Sequence, residues 1–399
     1  MKSSLMNRMM TRRRTIALAA AAAAAATVPL AAAPAFAAQT KAQNETSGQF
    51  PITFTDLAGR KVTIQKRPER FIVANYILNF LMVSGASGTS KVVGLTQDGW
   101  IDMRRGEYTL MKAAFPELIA KPSIGGYHDD ILNSEKILAL RPDVILINRT
   151  QYESNTHRVE VFEAAGIRVV VLDYHAMKPA NHIQSTTILG LLLGREDVAR
   201  AQCERYRTVL DTIASRIEKL PESALHTRVY VESGSRGVHE YGNSYNRSVL
   251  WGAILENLKA DNLARDMKQP YAALDREFVI GRNPQVIVIC GSIWENSDTS
   301  DAMRMGLTVP EETAQKRLSG FARREMWQNL DAVKNGRIYG IDHGSLRCIM
   351  DYAFSMYLAK VLYPDAFNDF DPDREIADFY ATYLPELKAQ GTFFIKLKQ

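Results

Sequence analysis

Glu135-Lys136-Ile137-Leu138-Ala139-Leu140-Arg141-Pro142-Asp143-Val144-Ile145-Leu146-Ile147 is the stretch whose reading decides the fold. Ile137, Leu138 and Leu140 sit at helical spacing, Pro142 stops the helix, and the apolar run after it reads as a strand covered on both faces. The same grammar returns further on: Glu277 leads through Phe278, Val279 and Ile280 to Asn283-Pro284-Gln285 and then Val286-Ile287-Val288-Ile289. The glutamate and the proline both recur at an offset of 142 residues. A shared offset for two landmarks is the signature of an internal duplication.

Two fainter echoes extend the repeat outward. Arg70-Phe71-Ile72-Val73 matches Arg228-Val229-Tyr230-Val231, and Gly166-Ile167-Arg168-Val169-Val170 is answered by Gly336-Arg337-Ile338-Tyr339. Strands alternating with helices imply parallel sheets packed between helices. The fold class is therefore α/β: two three-layer lobes with mainly parallel sheets, joined by one long rigid helix. The joining helix is predicted over 196–220, where Val198, Ala201, Tyr206, Val209, Ile213, Ile217 and Leu220 recur every three or four residues and Pro221 follows. The expected boundaries are an N-terminal lobe over 50–178, lead-in and spine helices over 179–221, and a C-terminal lobe over 222–399. A stiff spine implies that the lobes open only a little.

The start of the chain reads as an export address. Lys2, Arg8 and Arg12 to Arg14 precede an apolar, alanine-rich stretch from Ile16 to Ala33, and Ala35-Phe36-Ala37 offers a small-x-small cleavage pattern. We place a signal peptide at 1–37 and a polar, aperiodic and disordered linker at 38–49. Arg13-Arg14-Thr15-Ile16 also resembles a twin-arginine signal, so both that route and general secretion stay open. No cysteine lies near the cleavage point, which leads us to expect a freely diffusing periplasmic protein rather than a lipoprotein, and a monomer.

The formal charge of +5 belongs to that address. The first 37 residues hold five of the 49 basic residues and no acidic one, leaving 44 against 44 in the exported chain. A neutral chain with no basic helix lacks the footprint of nucleic-acid binding. Cys203, Cys290 and Cys348 form no C-x-x-C pair or metal cluster and read as buried free thiols.

With the two-lobed plan in place, the mature chain resembles the periplasmic binding proteins of the ferric-siderophore and cobalamin import class. The resemblance is carried by Ile52-Thr53-Phe54-Thr55-Asp56-Leu57-Ala58-Gly59-Arg60 with Arg67-Pro68-Glu69-Arg70, by the Glu135-to-Ile147 motif, and by Ala164-Ala165-Gly166-Ile167. Gly194-Arg195-Glu196-Asp197 and Val333-Lys334-Asn335-Gly336-Arg337-Ile338-Tyr339 complete the series. It implies a ligand cleft between the two lobes and a solute-binding component of an ABC importer, whose partners are an inner-membrane permease and its ATPase subunits, with no permanently bound cofactor and no catalysis. It also implies one permease-docking glutamate per lobe, at the positions of Glu135 and Glu277.

Ligands of open α/β sheets sit beyond the carboxyl ends of the strands. The candidates there are Tyr76, Trp100, Arg104, Tyr127, His128, Arg149 and Tyr174 in the first lobe, and Arg236, Tyr241, Trp294, His343 and Arg347 in the second. Arginine pairs bidentately with anionic oxygens and flat aromatics offer stacking faces, a set that suits an iron(III)-siderophore-type chelate. Haem, cobalamin or a bare metal ion are the alternatives in the same importer class, with His128, His175 and His343 as the ligands if metal is bound directly. Trp251 lies in an apolar helical stretch and reads as core. An exported hydrolase or metalloenzyme is the rival of another class, and the chain has no G-x-S-x-G, P-loop, H-E-x-x-H or G-x-G-x-x-G after its first strand. A sensor or adhesin on the same fold would call for a tether or an extra domain, and neither is visible.

Overall fold

Arg70 and Arg228 show how the duplication is built. Each opens the first strand of its lobe and reaches back to the end of the helix in the repeated motif: Arg70 Nη2 donates to the Leu140 carbonyl at 2.7 Å, and Arg228 Nε to those of Arg282 and Asn283 at 3.1 Å. The motif helices, Ser134–Leu140 and Arg276–Arg282, start on side-chain caps one repeat apart, Asn133 and Asp275. They end on Arg141 and Asn283, both at φ 45°, so the left-handed turn before each proline releases the carbonyls that the arginines collect. Asp143 and Gln285, one residue past each proline, accept the backbone N–H of Arg70 and Arg228.

In this computed structural model, which describes residues 49–102, 104–294 and 301–398, the strands assemble into two sheets of one plan. In the first lobe the order is Val92–Leu95, Phe71–Val73, Val144–Ile147, Arg168–Val171, all parallel. The second runs Asp261–Asn262, Arg228–Ser233, Val286–Gly291, Ile338–Asp342, also parallel, with Phe394–Lys396 added antiparallel at the edge. Both lobes thus use the order 2-1-3-4. The two strands foreseen from the motif are buried at every position, as layers of helix on both faces require. An antiparallel hairpin, Ile52–Thr55 with Lys61–Ile64, closes on the first lobe through buried Asp56. Its Oδ2 takes the Val171 N–H and pairs with Arg60 at 2.8 Å. The expected signal segment, the linker through residue 48, Glu295 and Met103 lie outside the described residues.

The spine helix is Glu196–Ile217, 22 residues, about 33 Å at 1.5 Å per residue. It stops short of the expected Leu220 because Pro221 forces the residue before it out of helical conformation. Its buried face also differs by a step: Ala199, Gln202 and Cys203 face inward, whereas Ala201 is exposed. Gln202 Nε2 donates to the Met82 carbonyl of the first lobe, while Arg216 makes a forked pair with Asp369 of the second at 2.6 and 2.9 Å. One helix is thereby fastened to both lobes. The lead-in helix Pro179–Leu193 lies against it, and the close approach rests on Gly190, whose Cβ would fall 2.5 Å from that of Ala199. All three cysteines are buried and free, and no described helix is long and apolar enough to cross a membrane.

Candidate functional site

In a 2-1-3-4 sheet the chain leaves the first and third strands toward opposite edges, so a crevice opens beyond their carboxyl ends. Asn75 and Tyr76 leave the first strand of the first lobe there, and Ser292 and Ile293 the third strand of the second. Together they line a cavity of about 130 Å³ with Trp100, Arg104, Glu107, Asp342 and Arg347, residues drawn from both lobes. A larger concavity of about 870 Å³ follows the edge strand Phe394–Lys396 on the second lobe alone. Its lining carries Glu311 and Asp373 beside Lys396 and Lys398, with neither arginine nor tryptophan, whereas the smaller space between the lobes gathers Trp100, Arg104 and Arg347.

The lobes are in contact around this cavity. Asn79 is buried in helix Ile77–Ser84 of the first lobe; its Nδ2 donates to the Arg347 carbonyl at 3.0 Å and its Oδ1 accepts the Ile349 N–H at 3.1 Å. That grip holds Arg347 in a left-handed conformation, φ 72°, which costs a non-glycine residue about 1 kcal/mol or more and is common where function fixes the backbone. Arg104 Nη1 pairs with Glu107 at 3.3 Å, and Glu107 Oε1 accepts the Ser292 hydroxyl across the gap at 3.3 Å. Gly106 sits so close to the second lobe that a Cβ would fall 1.6 Å from Ile293 Cγ2. Farther back, His182 Nε2 and Asp351 Oδ2 meet at 2.9 Å, 0 and 3 % exposed, with Tyr206 of the spine stacked on the imidazole at 5.3 Å.

Electrostatically the cavity is short of negative charge at one place. Burial, and then the nearness of Arg104, disfavour the charged form of Arg347, which makes no ion pair among the described residues. Burial works against Arg104 as well, but Glu107 more than compensates and holds its guanidinium charged. His343 is kept far below the ordinary imidazole range by burial, then by Arg347 and Arg104. His175 is exposed beside Tyr76; its charged form is disfavoured by the protein packed around it and then by Arg347. Asp342 is pushed up to about 6 by burial, and both its oxygens are occupied by the Gly344 and Ser345 N–H groups.

Of the residues singled out by sequence, Tyr76, Trp100, Arg104 and Arg347 line the cavity. His343 stands directly behind Arg347, and the Trp294 ring lies 6.2 Å from His343. The others are elsewhere. Tyr174 is wholly buried, its hydroxyl bonded to Thr186, because it follows the strand's inward-facing side. Arg149 is exposed and serves the hairpin, donating to the Leu57 carbonyl and pairing with Glu153. His128 pairs with Asp102 on the surface, and Tyr127, 41 % exposed, stays at the rim, where it supports the charge of Arg104. Arg236 is exposed outside the cavity. Tyr241 is engaged by Trp327 Nε1 at 2.7 Å and by Arg324 above its ring. Trp251 is core as expected, yet its Nε1 donates to His343 Nδ1 at 2.9 Å. Sequence reasoning missed Asn79, Glu107, Asp351 and His182; only Glu107 left a trace, three residues after Arg104 on a helix. His128, His175 and His343 do not converge, and among the described residues no group of three or more His, Cys, Asp or Glu is placed to hold a metal ion.

Glu135 and Glu277 are both exposed in the first turn of their motif helices, in equivalent positions of the two lobes.

Comparison with known proteins agrees with the two-lobed plan. A family model described as periplasmic binding protein matches residues 104–343. A Bacillus subtilis protein, the uncharacterized ABC transporter substrate-binding lipoprotein YvrC, is 22% identical over 345 residues, 84% of this chain and 93% of that one. Its name makes that relative a lipoprotein, which bears against the expectation of an untethered protein. A cobalamin-binding protein of Halobacterium salinarum is 24% identical over 287 residues, 70% of this chain and 69% of its own. Among solved structures, the TroA-like periplasmic binding protein FepB from Veillonella parvula superposes with a TM-score of 0.81 at 31% identity, covering 87% of this chain and all of that one.

Proposed function

The chain belongs to the periplasmic binding protein family, the substrate-binding components of ABC importers, and on that premise we propose that it captures an anionic, oxygen-rich ligand of the iron(III)-siderophore type between its lobes. The observation that carries this reading is Arg347: an interlobe arginine that makes no ion pair among the described residues, facing a second arginine from the opposite lobe whose own partner is Glu107. Two like charges at one cleft cost free energy until an anion joins them. Trp100 at the cavity wall adds a flat face for the organic part of a chelate. Glu135 and Glu277, one on each lobe, are the proposed contacts to the permease, which with its ATPase subunits does the transport work.

A second reading rests on volume. The cavity, about 130 Å³, is below the roughly 300 to 1,000 Å³ of pockets that enclose drug-sized ligands. As it stands it holds a small oxyanion outright; a whole chelate requires the lobes to part where Gly106 meets Ile293.

Tryptophan-fluorescence titration with iron-loaded and iron-free siderophores, haem, cobalamin, divalent metals and small oxyanions tests both. Saturable quenching by a ferric chelate, lost in Arg347→Ala, supports the first reading. Binding of haem, cobalamin or a bare cation alone, unaffected by that substitution, refutes it.

A further inference from the structure

His343 is enclosed by hydrogen-bond donors. Trp251 Nε1 lies 2.9 Å from its Nδ1, and Arg347 Nη1 lies 3.2 Å from its Nε2. Indole and guanidinium nitrogens only donate, and a neutral imidazole accepts at one nitrogen, never at both. Whichever tautomer forms, one N–H therefore faces another N–H. Turning the ring over would put carbon against the Trp251 N–H. Trp251 is fully buried and donates to no other acceptor among the described residues, while Arg347 is half-buried at the cavity wall. The stable arrangement has Nδ1 accepting from Trp251 and the proton on Nε2, aimed toward Arg347. Burial and the two arginines keep a second proton off the ring. Nearby, Trp294 Nε1 is buried and has no partner among the described residues. Buried donors are normally satisfied, so a cluster of them lacking an acceptor marks the place of one.

We infer that a negatively charged oxygen of the ligand bridges the Nε2–H of His343 and the guanidinium of Arg347, which turns from its present 3.2 Å contact to share it, with Trp294 Nε1–H as a further donor nearby. The inference deepens the anion-binding reading above and rests on it: the imidazole serves as a hydrogen-bond donor to oxygen and not as a metal ligand. Free tetrahedral oxyanions and the coordinating oxygens of a ferric chelate both present this chemistry.

The two sources, and the clamp itself, are separable by experiment. The exported protein is titrated with molybdate, sulfate and phosphate on one arm, and with ferric citrate, a ferric trihydroxamate and a ferric catecholate on the other. Tryptophan fluorescence reads binding, and long-range ¹H–¹⁵N correlation of the histidine side chains reads His343, with gallium(III) in place of iron for the chelates. The expected result is a protonated Nε2 and a bare Nδ1 on His343 before and after binding, with the Nε2–H proton moving downfield in the complex. Binding on the first arm identifies an inorganic oxyanion, and binding on the second alone identifies the chelate. His343→Phe is expected to weaken binding about 10- to 100-fold, while His343→Gln, which keeps an N–H near the same place, loses less than about 5-fold. A probe that binds in an Arg347-dependent way without moving the His343 Nε2–H signal, or a proton found on Nδ1, overturns the clamp and leaves the anion-binding cleft intact. Failure of every probe to bind overturns the cleft reading, and the clamp with it.

Discussion

At the end of the fourth strand each lobe places an aspartate that ties down the following loop. Asp173 accepts the N–H groups of His175 and Ala176, and Asp342 those of Gly344 and Ser345. A histidine follows each, with its Nδ1 against an aromatic partner of the same site: the Tyr76 hydroxyl at 2.6 Å for His175, and Trp251 Nε1 at 2.9 Å for His343. There the likeness ends. His343 is closed in between Trp251, Tyr245 and Arg347, whereas His175 is exposed. Each lobe also supplies one cavity arginine from a different place in its frame, Arg104 after the second strand and Arg347 after the fourth. Duplication has preserved the amino ends of the strands, where Arg70 and Arg228 do one job, and let the carboxyl ends diverge. The scaffold is symmetric and the site is not, as expected when a single asymmetric ligand is held across two similar halves.

The largest expected break in that symmetry is functional. If Glu135 and Glu277 are matched contacts on the permease, Glu135→Arg and Glu277→Arg each abolish uptake into cells while leaving ligand affinity unchanged. Normal uptake by the double variant would remove the docking role from both. The next effect is on stability and falls on one lobe. Glu232, next to last in the first strand of the second lobe, stands in the place of Ala74, just past that of the first, and it is fully buried against Arg324 at 2.6 and 2.9 Å. Glu232→Ala leaves a buried cation uncompensated and is expected to cost about 3 to 5 kcal/mol in urea unfolding, against less than about 1 kcal/mol for Ala74→Gly plus its lost methyl. The two arginines sharpen the comparison further. Arg347→Ala should weaken ligand binding by about 2 to 3 kcal/mol, and Arg104→Ala by less, because Arg104 already has Glu107 for a partner. Equal losses in the titration would show that the ligand takes both arginines alike.

The symmetric part is what the sequence discloses. Glu135 to Ile147 and Glu277 to Ile289 fix two lobes because helix stop and buried strand are local properties, set by a proline and a run of apolar residues. The spine was legible for the same reason, and its end was misplaced by three residues because the restriction imposed by Pro221 reaches back along the chain. The cavity was legible only in part. Tyr76, Trp100, Arg104 and Arg347 follow strands and line the cavity, but Tyr174, Arg149 and Tyr241 also follow or flank strands and point into the core, toward the hairpin and toward Trp327. Position after a strand gives the end of the sheet and not the direction of the side chain. Asn79 and Glu107 acquire their roles only from the opposite lobe, a relation no local pattern contains.

The smallest effect tests the duplication at its most conserved place. Asn133 caps its motif helix with one bond, to the Lys136 N–H, and Asp275 caps the equivalent helix with two, to the N–H groups of Glu277 and Phe278. The Phe278 N–H first, and then the Glu277 side chain, hold the Asp275 carboxyl below its usual range. A carboxyl depressed in the folded state contributes its stability above the unfolded value, about 3.9, and loses it as pH falls through the lower folded value. Asn133→Ala is therefore expected to cost about 1 kcal/mol at every pH, while the cost of Asp275→Ala, present at pH 7, shrinks as the medium is acidified below that point. Urea midpoints of the two variants, followed from pH 7 down to the acid limit of the fold, should converge on the parent for Asp275→Ala alone. If both penalties stay level, the second cap holds its helix by geometry alone, and the two halves of the repeat are alike in charge as well as in shape.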